Sequence, residues 1–322
     1  MENRDPTFRN YQADAAAAYA AYRSPYPDKL IEMIVEAHVS SGGQKDMLLD
    51  VGCGPGIATR QISPFFQHVI GADPGQSMVE TARHIPSKSA SGEPVRFEVC
   101  AAEELDSIAQ PGSIDLITAA TSAHWFHMPK FYVSAAKVLK PGGSIIIFSG
   151  GSTHCDQETT PNAVEVQEKW TELEREVLAP FELPGNKLAR ELYANLEMPW
   201  TIRTSDPEMK AALAQFDEAA SSRNVFNENG ARDDRFENGY LQRHSVSLDI
   251  IRKMLGTVSQ VTRWRDAHKE QLEKGEIEDC VEYMLRVTKE TMEKGLPEGQ
   301  SLEVIDSIMT VVMIVIKKKA AN

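Results

Sequence analysis

The run Leu48-Leu49-Asp50-Val51-Gly52-Cys53-Gly54-Pro55-Gly56 constrains this chain more than any other stretch. Met47 to Val51 has the apolar character of a strand buried on both faces of a parallel sheet, and it stops in a glycine-rich turn. Ile57 to Ile62 then opens a helix. Glycines on alternate positions let the backbone turn tightly and leave no Cβ between chain and ligand. The helix N-terminus that follows presents unpaired N–H groups to a bound polar group. Strand, turn and helix in this order form the nucleotide end of a doubly wound α/β domain. A dinucleotide fingerprint wants a third small residue where Ile57 stands. The spacing Asp50-x-Gly52-x-Gly54-x-Gly56 therefore argues for a different nucleotide.

The next elements repeat the theme. Asp28 to His38 reads as an amphipathic helix, and His68 to Asp73 as a second strand ending in an acid. Asp73 falls where this topology places the ribose of a bound nucleoside, and a carboxylate accepts hydrogen bonds from both ribose hydroxyls. Met78, in the helix after it, fits either against an adenine face or in ordinary core. Val95 to Ala101 reads as strand three, running into Ala102-Glu103 at the adenine edge. Ser113 to Ala120 is strand four. A helix over Pro129 to Leu139 is stopped by Lys140-Pro141-Gly142-Gly143, and Ser144 to Ser149 is strand five before a Gly150-Gly151 break. Strands alternating with helices predict a parallel sheet with right-handed connections. All strand ends then share one edge, which collects Gly52 to Gly56, Asp73, Ala102-Glu103 and Ala119 to Trp125.

Together, Asp50 to Gly56, Asp73, Ala102-Glu103, His124-Trp125-Phe126 and Leu139-Lys140-Pro141-Gly142-Gly143 resemble the class I S-adenosylmethionine (SAM) methyltransferases. Tyr22-Arg23-Ser24-Pro25-Tyr26-Pro27 ahead of them narrows the resemblance to the branch of trans-aconitate methyltransferase and its fungal cantharidin-methylating relatives. It covers residues 19–150, is thin over 151–235 and faint again around Leu255 to Glu270. It implies a Rossmann-like, seven-stranded sheet with a helical cap, and SAM as cofactor. Carried over by position, it implies Asp50, Gly52, Cys53 and Gly54 in the SAM turn and Asp73 at the ribose. It further implies Met78, Ala102 and Glu103 at adenine, with Tyr22 and Arg23 on the methionine carboxylate and Ala119 and His124 near the methionine half. His124 fits a buried core histidine as well as a pocket residue, and Trp125 reads as packing. His127 departs from the pattern, standing where those relatives usually carry aspartate.

Composition bounds the rest. The 322 residues support one large or two modest domains, with 42% hydrophobic residues, 25% charged and a net charge of −13. That acidity argues against a nucleic-acid partner. Four scattered cysteines suggest neither zinc nor a disulfide framework, no metal is expected, and their reduced state implies a cytoplasmic setting. The longest apolar run, Ile308 to Ile316, is too short to span a bilayer, so no membrane association is expected. Residues 1–150 read as the SAM-binding core with an N-terminal lid over residues 1–27. Residues 151–235 read as a helical cap, and 236–322 as the remaining core, with a sixth strand over Arg235 to His244 and a last antiparallel strand at Val311 to Lys317. The partner is a small-molecule acceptor, best a carboxylic acid, which is already ionised at neutral pH and needs no general base. Arg203, Arg223, Arg232, Arg235, Arg243, Arg263 and Arg265 are candidates to receive it. A SAM-binding protein that transfers no methyl group, as a regulatory subunit or cyclase, stays open, as does the oligomeric state.

Overall fold

The computed structural model describes residues 20–23, 25–297 and 301–321. Helix α1 (Asp28–Ser40) buries Leu30, Ile31, Ile34 and Val35 along one stripe. The chain continues through β1 (Met47–Val51), α2 (Ile57–Ile62), β2 (His68–Asp73), α3 (Gln76–His84), β3 (Arg96–Val99), β4 (Ile114–Ala120), α4 (Met128–Val138) and β5 (Leu139–Cys155). These five strands pair in parallel, with Leu49 between Ile70 of β2 and Ile117 of β4. Their side chains alternate between the sheet's two faces, so both faces demand apolar residues. Leu49, Ile145 and Ile147 pack with α4 on one face; Leu48, Ile146 and Phe148 pack with α1 and α2 on the other.

The second half adds α5 (Ala163–Leu173), α6 (Pro184–Arg190), α7 (Pro207–Leu213), β6 (Phe216–Phe226), β7 (Arg243–Ser247), α8 (Leu248–Leu255), α9 (Ser259–Ala267), α10 (Lys269–Glu273), α11 (Cys280–Met292) and β8 (Val304–Lys318). The sheet order is β3-β2-β1-β4-β5-β8-β6, with β7 also on β8. Eight strands thus replace the seven expected, and the reason lies on β8. Ile314 pairs Ile147 on one side and Arg223 on the other, while Ile308 pairs His154 and Arg243. Strands β6 and β7 therefore lie end to end on β8's outer edge. Eight strands fill seven places.

Several expected boundaries move: β5 begins at Leu139 rather than Ser144 and takes in Lys140 to Gly143, and β8 begins at Val304 rather than Val311. The strand expected over Arg235 to His244 forms instead at Phe216–Phe226 and Arg243–Ser247. Phe236 and Tyr240 sit in turns, closed by Phe236 N–H on Asp233 O and by Gly239 at φ 81°. Strand β5 does not break at Gly150-Gly151; it runs to Cys155 with a bulge between Gly150 and Thr153. A Cβ at Gly150 would stand 2.3 Å from Met309 Sδ, so this glycine serves close packing of β8.

Beyond the sheet, α5, α8, α9 and α11 enclose a separate cluster around Trp170, Val261, Trp264 and Leu285, seated on Cys155 and Ile305. Trp170 Nε1–H donates to Thr288 Oγ1 at 2.8 Å and ties α5 to α11. Helices from either side of β6 thus build one unit at the strands' carboxyl edge. All four cysteines are free and buried. Among the described residues no helix is long and apolar enough to cross a membrane. The expected lid falls largely on residues 1–19 and 24, outside the described residues.

Candidate active site

The glycine turn at the end of β1 carries positive φ at Gly52 (67°) and Gly54 (54°), and the two glycines answer different demands. A Cβ at Gly52 would meet Ser122 Cβ at 2.5 Å, so packing of the β4 loop excludes a side chain there. At Gly54 a Cβ would meet nothing within 4 Å and would project into the cleft the turn lines. Gly54 N–H donates to Asp73 Oδ2 at 2.9 Å, and Gly75 N–H to Asp73 Oδ1 at 2.8 Å. Two backbone donors thus fix the carboxylate at the end of β2.

Asp50 lies beneath the turn. It is fully buried and accepts from Thr59 Oγ1 at 2.5 Å and Thr118 Oγ1 at 2.7 Å. Burial pushes its carboxyl up to about 6, against the opposing pull of the two hydroxyls. Its work is to join β1, α2 and β4 under the turn.

The cleft encloses about 1010 Å³, part of it open solvent. Its floor is the turn itself with Ile57 and Ala58; one wall is Asp73, Pro74, Met78, Ala102 and Glu103 from the ends of β2 and β3. Tyr26, Ala120, Thr121, Ser122, Trp125 and Phe126 form the opposite wall. The opening lies across β1 and β4, where connections leave the sheet in opposite directions, and open α/β sheets bind their ligands at that crevice. Glu103 Oε1 accepts from His127 N–H at 2.8 Å, and His127 Nδ1 accepts from Lys130 N–H at 3.4 Å at the start of α4. The residue that departs from the family pattern therefore caps a helix and latches the two walls together.

Seven expected site residues line this cleft: Gly52, Cys53, Gly54, Asp73, Met78, Ala102 and Glu103. Five do not. Besides Asp50, Ala119 is sealed in the core one residue before the wall begins. His124 is buried with its Nδ1 2.7 Å from Tyr193 Oη, and burial lowers its pKa to about 3. Tyr22 is 41% exposed with Lys253 Nζ 5.4 Å from its ring centroid, and Arg23 Nε donates to Thr257 Oγ1 at 3.0 Å; both sit over the α8–α9 junction. Trp125, read as packing, also lines the cleft. Tyr26 and Thr121 are additions: the first lies inside the Tyr-Arg-Ser-Pro-Tyr-Pro motif, and the second, a β-branched residue at φ 50°, lies in the Ala119 to Trp125 stretch expected at this edge, where nothing singles it out. Among the described residues no group of three or more His, Cys, Asp or Glu is placed to hold a metal ion.

Residues 49–147 match the methyltransferase domain family. A Dictyostelium discoideum protein named as a methyltransferase is 36% identical over 134 residues, 42% of this chain and 46% of that protein. A Saccharomyces cerevisiae protein named as an S-adenosylmethionine-dependent methyltransferase, CRG1, is 31% identical over 129 residues, 40% of this chain and 43% of that protein. The chain thus spans less than half the length of these relatives. A solved structure described as a type II methyltransferase from Anaeromyxobacter dehalogenans covers 93% of this chain and 98% of its own length at a TM-score of 0.57 and 22% identity, a likeness of fold alone. Residues 49–147 of this chain thus match a methyltransferase domain, and the sheet they build has the Rossmann-like fold of such domains.

Proposed function

We propose that this chain transfers the methyl group of SAM to a small-molecule acceptor. The observation that carries the reading is the coupling of Gly54 to Asp73: one backbone N–H joins the turn to the ribose-side carboxylate while the Gly54 position leaves the cleft clear. When bound, SAM supplies an electrophilic methyl carbon; the acceptor's lone pair bonds to it as the carbon–sulfur bond breaks, and sulfur keeps the pair. What the protein adds is alignment of the two atoms and exclusion of water. Asp73 would hold the ribose, Met78 with Ala102 and Glu103 the adenine, and the β4-side wall the methionine half. His124, neutral and buried against Tyr193, supports that wall from behind.

A carboxylic acid is the acceptor the family resemblance favours, in a trans-aconitate-like or secondary-metabolite substrate, and a cytoplasmic setting belongs to the same reading. The seven candidate arginines bear on this. None lines the cleft. Arg232, Arg235, Arg243 and Arg265 pair with Glu158, Asp233, Asp156 and Asp279, while Arg203, Arg223 and Arg263 donate to Trp200 O, Leu192 O and Phe181 O. The support for a carboxyl acceptor is thus its chemistry, since an ionised oxygen needs no base, and among the described residues the carboxyl side chains lining this cleft are those of Asp73 and Glu103, assigned to the ribose and the adenine.

The test is incubation of the pure protein with methyl-labelled SAM and a panel of tricarboxylates, phenols and amines. Label that transfers and is then released as methanol by mild base identifies a methyl ester. Label stable to base identifies an ether or methylamine and removes the carboxyl reading. Tight SAM retention without transfer to any acceptor selects the binding-only alternative.

A further inference from the structure

The Pro25-Tyr26-Pro27 segment precedes the sheet, yet Tyr26 stands in the cleft wall, and the contacts that put it there form a chain. Gln61, on α2, grips the Tyr26 backbone at two points: Tyr26 N–H donates to Gln61 Oε1 at 2.9 Å, and Gln61 Nε2–H donates to Tyr26 O at 2.7 Å. This side-chain amide does what a neighbouring strand would do, at a segment where two prolines withhold backbone donors. The two bonds also fix which end of the amide carries oxygen. From that anchor the Tyr26 ring packs edge-on against Phe148 with centroids 5.0 Å apart, and its hydroxyl lies 3.0 Å from Thr121 Oγ1. Thr121 holds the left-handed conformation, with its N–H on Phe148 O at 2.8 Å. A β-branched residue in that conformation persists only where its surroundings over-determine it, and such residues cluster at ligand clamps.

We infer that Tyr26, paired with Thr121, bounds the methionine half of the SAM site, and that Gln61 is the positioning residue that holds it there. The inference rests on the SAM reading above. Asp73 and Glu103 stand at the β2 and β3 ends, so a nucleoside held there extends its 5′ substituent across the glycine turn toward β4. The β4 side is the wall that Tyr26 and Thr121 share. Helix α2 begins in the same turn, so Gln61 links the cleft floor to this wall through one side chain.

Two variants and two ligands test this by calorimetric titration. Tyr26→Phe keeps the ring on Phe148 and removes the hydroxyl. Gln61→Glu keeps the length and replaces a donor with an oxygen that repels Tyr26 O. SAM carries the methionine half, and 5′-methylthioadenosine lacks its aminocarboxypropyl arm. Each variant should bind SAM about three- to tenfold more weakly, the range of one hydrogen bond, and 5′-methylthioadenosine as well as wild type does. Because Gln61 acts through Tyr26, the double variant should be no weaker than the worse single one. Unchanged SAM affinity in Tyr26→Phe overturns the proposal, and so does equal weakening of both ligands, the mark of a purely structural role. A wild-type chain that binds neither ligand overturns the SAM reading and this proposal together.

Discussion

Asp73 is the residue on which the proposed donor site turns. Its two oxygens are held by Gly54 and Gly75 N–H groups, so the carboxylate is oriented before any ligand arrives. A preoriented acceptor loses little freedom on binding, which favours affinity. Asp73→Ala should therefore weaken SAM by about 1.5–3 kcal/mol, the scale of a charge-assisted hydrogen bond. Titration of a variant with wild-type unfolding behaviour measures this, and an unchanged affinity would move the ribose contact elsewhere. At this scale, what was legible in the sequence is what backbone chemistry dictates. Glycines and an acid at a strand end announce themselves, because few other residues do those jobs. Asp50 lies beneath the turn and not in the cleft lining, because proximity in sequence to the turn does not tell which way a strand side chain faces. Tyr22 and Arg23 were assigned by resemblance, and here they meet Lys253 and Thr257, from a part of the chain where the resemblance is faint.

Among elements, the parallel half of the sheet and the last antiparallel strand were legible, the latter expected at Val311 to Lys317 and found within Val304–Lys318, whereas the outer strands β6 and β7 were not. Strands buried on both faces read as apolar runs, as in Leu116-Ile117 and Ile145-Ile146-Ile147. By contrast β6 is an outer strand whose middle, from Glu218 to Asn224, is largely exposed and polar, so neither a run nor an alternation marks it. The cap is similarly obscure in sequence, yet its contact with the site is sharp. Helix α6 lies over the 3-10 turn Ala123–Trp125 so closely that a Cβ at Gly185 would stand 2.4 Å from Trp125 Cζ3 and 2.7 Å from His124 O. Neither neighbour yields easily, since one is backbone and the other a ring in the cleft wall. Gly185→Ala should destabilise the protein by about 1–3 kcal/mol, as overpacking does. A urea midpoint lowered at constant m-value would show this; an unchanged midpoint would mean that α6 can shift away from Trp125.

Across the whole molecule, three buried titratable groups in three places set opposing responses to acid. His38, under the opposite edge of the sheet, is fully buried with Nε2 2.8 Å from Gln44 O and Nδ1 2.9 Å from Ser144 Oγ. A carbonyl only accepts, so Nε2 carries the proton, Nδ1 accepts from Ser144, and Ser144 accepts from Lys317 Nζ at 2.9 Å. Burial, reinforced by the Lys317 charge, lowers the His38 pKa, and burial alone takes His124 down to about 3. Below the ordinary 6.5 the unfolded chain binds protons that both native imidazoles refuse, so each histidine costs stability as pH falls through that window. Asp50 works the other way. Its native carboxyl takes up a proton near pH 6 while the unfolded one stays ionised down to its ordinary 3.8, so acidification across that interval adds stability. Each proton of difference is worth about 1.4 kcal/mol per pH unit. Asp50 therefore offsets one histidine between about pH 6 and 4, and Asp50→Asn removes the offset. Urea unfolding at intervals from pH 7.5 to 4.5 should show the variant losing stability more steeply than wild type below pH 6. Equal slopes would mean that the Asp50 carboxyl stays ionised in the native core, held by Thr59 and Thr118 against its burial.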